Sequence, residues 1–485
     1  MKKIYALISF LVCVLSAGSC AAYRLVGTEA LSEELIAQHY TINPKLDAVI
    51  VVDRTIPTFE YHTYYSAGSA DEVEGQQGRI HFLEHILAGI GSHGPGELNQ
   101  IIADNKGEQR AFTNYHFSRF ILRFPKDKFD LAVEIDSNRF YNIVINEEII
   151  QKEKKIILTE KSRNATNPNR ILSHYFLSLI YKKKNFSILG DGAFIKQIES
   201  DDLKVYYENF LRLQKRLIVV IGDVDVDQVL MKLDEAYSNV KDQKTRQSHS
   251  DHQYPNSKVL GKKFNITSKN LSVSKFWKGW YTPCLGHRDY AGLLILTHIL
   301  NKSTNSLKSS VVDFGLAKAF TTELHQLKGF SLMSCVANLP PDTSVDTIEA
   351  IIQAKLERIK SQGISGEELN GARNQQLKKM YSKFYDASSI AHSFGQSFAH
   401  ANDPLLYPKL IKDIESISKK DIPRIINQYL TTDNSVTASL TLPTRSKSFG
   451  YYLLFYGTIA IILFFFVSLA WLLIWTTRRL YRKFS

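Results

Sequence analysis

His81-Phe82-Leu83-Glu84-His85 sets two imidazoles four residues apart with a carboxylate between them. Residues at that spacing share one face of an α-helix, so the pentapeptide predicts a helix on which His81 and His85 hold one metal ion while Glu84 leans over the same spot. A catalytic zinc takes three protein ligands and keeps a fourth position for water, so one more donor is needed. Glu153 and Glu160 lie seven apart in Glu153-Lys-Lys-Ile-Ile-Leu-Thr-Glu160, two turns along one face of a second helix. Glu160 is the expected third ligand of a Zn2+ ion, and Glu153 the group that orients a ligand from behind. Glu84, between the two histidines, is the expected general base. A core histidine and solvated glutamates are the competing reading, and the flanking sequence decides between them.

Those flanks resemble one family. His81-Phe-Leu-Glu-His85 is similar to the inverted zinc motif of the metallopeptidases that include pitrilysin, insulin-degrading enzyme and the mitochondrial processing peptidase. Upstream, Ala67-Gly-Ser-Ala-Asp-Glu72 and Gly78 resemble the family's approach to its zinc helix, and Glu153 and Glu160 match its paired glutamates. Downstream, Ala111-Phe-Thr113 resembles its substrate strand, and Arg216-Leu-Ile-Val-Val-Ile-Gly-Asp-Val-Asp225 its closing strand. Trp280-Tyr-Thr-Pro283 resembles the start of its non-catalytic half. The resemblance implies an α+β fold of two similar domains, each a mixed sheet packed with helices. It also implies a zinc metalloendopeptidase that hydrolyses extended peptides or unfolded protein segments.

Two departures matter. Arg110 stands where the family has asparagine, at the strand edge where Arg110, Ala111, Thr113 and His116 are the candidate substrate-binding residues. The stretch from Leu307 to Lys318 also lacks the arginine and tyrosine pair that active members direct at bound peptide. By resemblance to the two-subunit members, a homologous partner subunit is expected to supply that pair. The alternative implied by the same departures is an inactive scaffold or assembly subunit.

The 485 residues, 44% of them apolar, suffice for two substantial cores. Net charge is +12, but the lysines are scattered and part of the excess sits at the termini, so a nucleic-acid partner is excluded. Strand character is expected in 47–53, 58–67, 119–124 and 217–221, and helices over 128–141, 147–163, 198–210, 289–300, 345–362 and 367–384. The domain reading is a signal peptide at 1–22, a zinc-binding peptidase domain at 23–240, a polar linker at 241–257 and a second domain at 258–445. An apolar, uncharged run at 449–475 predicts a transmembrane helix, followed by a cytoplasmic tail at 476–485. The implied location is a bacterial inner membrane, with one C-terminal span and the catalytic part in the periplasm. Cys13 and Cys20 fall in the signal, leaving Cys284 and Cys335 as candidates for pairing.

Overall fold

The structure, a computed structural model, describes residues 23–89, 96–164, 167–184, 186–238, 257–267, 273–302, 306–341, 343–441 and Phe466. Seven strands make the first sheet: β1 (Arg24–Ala30), β2 (Ile36–Asn43), β3 (Leu46–Val52), β4 (Thr58–Tyr65), β5 (Glu108–Thr113), β6 (Ser118–Pro125) and β7 (Arg216–Gly222). Their spatial order is β1-β2-β3-β7-β4-β6-β5, with β3 and β7 parallel and the other pairs antiparallel. The middle strands are near-continuous apolar runs because both faces are covered. Ile50, Ile218 and Val220 point into a core shared with Phe82, Leu83 and Ile86, while Val49, Val51, Val219 and Ile221 point the other way. β5 is at the edge, and its residues alternate between exposed and half-buried.

The second sheet contains β8 (Lys262–Thr267), β9 (Ser274–Thr282), β10 (Ala319–Leu327), β11 (Phe330–Leu339) and β12 (Ser435–Thr441), in the order β10-β11-β9-β12-β8. Helices Tyr290–Lys302, Val345–Gln362 and Gly366–Ser382 cover it and share its core. The α+β architecture of two sheet-and-helix halves is therefore as expected; the first sheet is mixed, while the pairs β10–β11, β11–β9 and β9–β12 of the second are antiparallel. Val345–Gln362 has its expected bounds, set by the Ser344 hydroxyl accepting from the Asp346 amide at one end and Gly363 at the other.

Each half lends a helix to the other. Helix Ala387–Ala401 lies on the far face of the first sheet, where Ile390, Ala391, Phe394 and Phe398 close the core around Val49, Val51, Val219 and Ile221. Gly395 permits this approach, since a Cβ there would stand 2.1 Å from Cε1 of Tyr64. Polar ties reinforce the contact: Tyr64 Oη donates to the Ala391 carbonyl at 3.1 Å and Ser388 Oγ to Glu60 at 2.6 Å. In return, helix Pro168–Tyr181 packs on β9, with Phe176 stacked on Trp277 at a centroid distance of 4.5 Å. A Cβ on Gly279 would come within 2.9 Å of Phe176. Contacts among the described residues bind both sheets into one compact unit; a second unit, 267–272 and 441–485, falls almost wholly outside them.

One expectation is corrected. Among the described residues no helix is long and apolar enough to cross a membrane, against the transmembrane helix expected at 449–475 and the single-span inner-membrane location built on it. A span needs about 20 apolar residues. The 18-residue helices Glu147–Asn164 and Val345–Gln362 are rich in charge, and the apolar Tyr290–Lys302 has only 13 residues. The 449–475 stretch, apart from Phe466, lies outside the described residues, as do 1–22, 476–485 and nearly all of 241–257. Cys284 and Cys335 are free thiols.

Candidate metal centre

The helix Arg79–Gly89 carries the pentapeptide, and its start is built with care. The buried Glu72 carboxylate accepts from the amides of Gly78 at 2.9 Å and Ile80 at 2.7 Å, capping donors that would otherwise be orphaned. Burial pushes this carboxyl up to about 7, against the pull of those hydrogen bonds. Lys183 Nζ donates to the carbonyls of Ala70 and Glu72, fastening the preceding loop. Ile80, Phe82, Leu83, Ile86 and Leu87 face the core, which turns the remaining side of the helix toward helix Glu147–Asn164.

There the three predicted ligands meet. His81 Nε2 lies 3.6 Å and His85 Nε2 3.9 Å from the same oxygen, Oε2 of Glu160. One ligand atom from each of these residues falls within 4.8 Å of the other two. Two imidazole nitrogens and one carboxylate oxygen form a donor set of catalytic zinc. Glu153 Oε2 meets Nδ1 of His85 at 3.0 Å, which turns the Nε2 lone pair toward Glu160 and His81. Glu84 Oε2 stands 3.9 Å from His81 Nε2 and accepts from the Thr113 hydroxyl at 3.2 Å. The residues present therefore fit a zinc ion, with Glu84 beside it.

Electrostatics agree with that use. Burial, and then the neighbouring His85, push His81 down to about 3, so it stays a neutral donor. Burial raises Glu84 above the ordinary carboxylate range, partly offset by His85 and the Thr113 hydroxyl. Burial alone would lower His85, but the Glu153 hydrogen bond and the charges of Glu84, Glu153 and Glu160 raise it.

The other predicted residues are spread along β5 and past its end. Arg110 is exposed and 4.0 Å from Glu108, and Ala111 packs partly against the first core. His116 follows the strand, buried, with Nε2 3.1 Å from Tyr181 Oη. The rival His93 lies outside the described residues. Sequence reasoning missed the capping role of Glu72, the bond of Thr113 to Glu84, and Lys328, which reaches from the β10–β11 turn to Asp71 at 3.2 Å. Glu72 was visible as the acid closing the Ala67–Glu72 run shortly before the helix; Lys328 carries no local signal.

Comparison with known proteins extends these findings. The family model described as insulinase (peptidase family M16) matches residues 52–189, and the one described as peptidase M16 inactive domain matches 197–376. A Helicobacter pylori protein named zinc protease PqqE is 22% identical over 427 residues, covering 86% of this chain and 95% of its own. An Arabidopsis thaliana protein named probable mitochondrial-processing peptidase subunit beta is 20% identical, covering 76% of this chain and 71% of its own. The crystal structure of a protease from Helicobacter pylori superposes with a TM-score of 0.74 at 20% identity, over 84% of this chain and 99% of that one. Relatives named zinc proteases and the His81, His85 and Glu160 cluster agree that the cofactor is zinc. With both of its halves matched in order, this chain belongs to the M16 peptidase family.

Proposed function

We propose that the chain is a zinc metalloendopeptidase acting on extended peptides or unfolded protein segments. The observation that carries the reading is the convergence of His81, His85 and Glu160, with Glu84 alongside and outside the ligand set. When bound, zinc supplies Lewis acidity and brings the acidity of a water toward neutral pH. His81, His85 and Glu160 hold the ion, and Glu153 fixes the ring of His85. Glu84 accepts a proton from the attacking water and returns it to the leaving amine. The Thr113 hydroxyl steadies the carboxylate in between.

The peptide lies along β5, whose outer edge is unpaired among the described residues, and adds a strand there. Arg110, exposed on that edge, meets the peptide in place of the family's asparagine. Helix Leu307–Val312 and the following turn offer lysines but no arginine and tyrosine pair, so a homologous partner subunit supplies the missing groups. The second reading, an inactive scaffold subunit, is favoured by those same two departures. Glu84→Gln separates the two: it should keep stoichiometric zinc and lose peptide cleavage by about a hundredfold or more. Cleavage that survives this change sinks the mechanism, and a wild-type chain inactive both alone and with its homologue favours the scaffold.

A further inference from the structure

A second polar site lies beyond the end of β5, where no zinc ligand reaches. A cleft of about 410 Å3 opens between the loop Asn114-Tyr115-His116, strand β10 and the C-terminal end of helix Gly366–Ser382. Three histidines and two lysines line it, and no aspartate or glutamate does, although Glu323 stands 3.3 Å from Nε2 of His325 just outside it. No carboxylate among the described residues comes within 4 Å of Lys379 or Lys383; Lys383 donates instead to the Tyr407 hydroxyl. His116 and His400 are 3% and 7% exposed, with rings 4.9 Å apart. Nδ1 of each is buried with no hydrogen-bond partner among the described residues.

Buried polar atoms are normally satisfied, and an unmade hydrogen bond at such depth is costly. Two lysines with no carboxylate partner among the described residues, beside two buried imidazoles, give the cleft a basic wall that suits an anion. Gln396 adds an amide to the same wall. A neutral or cationic ligand would leave the lysines unanswered. We infer that the cleft lined by His116, His325, Lys379, Lys383, Gln396 and His400 binds a small anion bearing carboxylate or phosphate groups. The anion is either a free small molecule or the acidic side chain of a longer peptide. The site stands apart from the zinc chemistry and does not require it.

The test is calorimetric titration of the full chain, both zinc-loaded and stripped of metal. The probes are inorganic phosphate, succinate, and an acidic hexapeptide against its counterpart with glutamine in place of glutamate. At least one anionic probe should bind in both metal states and the glutamine peptide should not. Lys379→Gln, on an exposed side chain, and His400→Gln should each weaken binding about tenfold. Binding of phosphate or succinate identifies a free anion, and binding of the acidic peptide alone identifies a side chain. Failure of every anionic probe, loss of binding when zinc is stripped, or unchanged affinity in Lys379→Gln overturns the inference. Because the readout is binding, its failure is distinct from any failure of peptide cleavage.

Discussion

Replacing Glu153 by alanine should weaken zinc binding about a hundredfold, although this side chain is not a ligand. Its Oε2 lies 3.0 Å from Nδ1 of His85, and both side chains are mostly buried. A hydrogen bond to a charged group is worth about 1.5–3 kcal/mol, and each 1.4 kcal/mol is tenfold in affinity. The upper half of that range applies, because alanine leaves the imidazole free to rotate and to choose either tautomer. Glu153→Gln keeps a neutral oxygen at the same reach, so its loss should be about tenfold. The assay is competition for zinc against a chromophoric chelator at fixed pH, with Glu160→Gln as a variant lacking a direct ligand. An alanine variant within twofold of wild type would refute the argument, since His85 would then be oriented without Glu153.

Three other outcomes follow from the fold and its thiols. Gly395→Ala drives a methyl group into the buried Tyr64 ring and should cost about 1–3 kcal/mol, seen as a lower urea midpoint; an unchanged midpoint means the helix contact is looser than described. Asp289 is buried and bound by Arg424 at 2.6 and 3.0 Å and by Tyr429 at 2.9 Å, and the Arg424 hydrogen bonds hold its carboxyl below the ordinary 3.8. A depressed carboxylate contributes stability that is present above the unfolded pKa and lost as pH falls through the lower folded one. Asp289→Asn should therefore destabilise clearly at pH 7 and progressively less as pH falls from 3.8 through the lower folded pKa; a loss that does not shrink with acid, by urea titration, would contradict the assignment. Burial pushes the Cys335 thiol up to about 12 and leaves it 1% exposed. Iodoacetamide at pH 8 should thus modify Cys335 only after denaturation, as read by peptide mass mapping, and rapid native labelling would contradict that burial.

Helical spacing puts His81, Glu84 and His85 on one face and aligns Glu153 with Glu160, and the family resemblance of the flanking sequence singled these five out from other histidines and glutamates. The long amphipathic helices and the apolar strands β3 and β7 were legible from a strong period or a strong run. β1 was missed because Arg24–Ala30 is largely exposed and holds no apolar alternation. The helix exchange depends on Gly395 meeting Tyr64 and Gly279 meeting Phe176, contacts between residues more than a hundred positions apart that leave no local mark. His116 looked like part of the substrate strand, yet it lies past the strand end and is buried against Tyr181 and His400. Hydropathy over 449–475 invited a membrane helix, but that stretch, apart from Phe466, lies outside the described residues, among which no helix is long and apolar enough to span.

Helix Ala387–Ala401 covers a face of a sheet whose last strand, β7, ends at Gly222. Synthesis runs from the N-terminus at roughly 5–20 residues per second, so that cover leaves the ribosome roughly ten to thirty seconds after the strands it protects. Through that interval Val49, Val51, Val219 and Ile221 present an apolar surface to water. The nascent chain is then a client for holding chaperones, and a product terminated before residue 387 should aggregate however sound its metal centre.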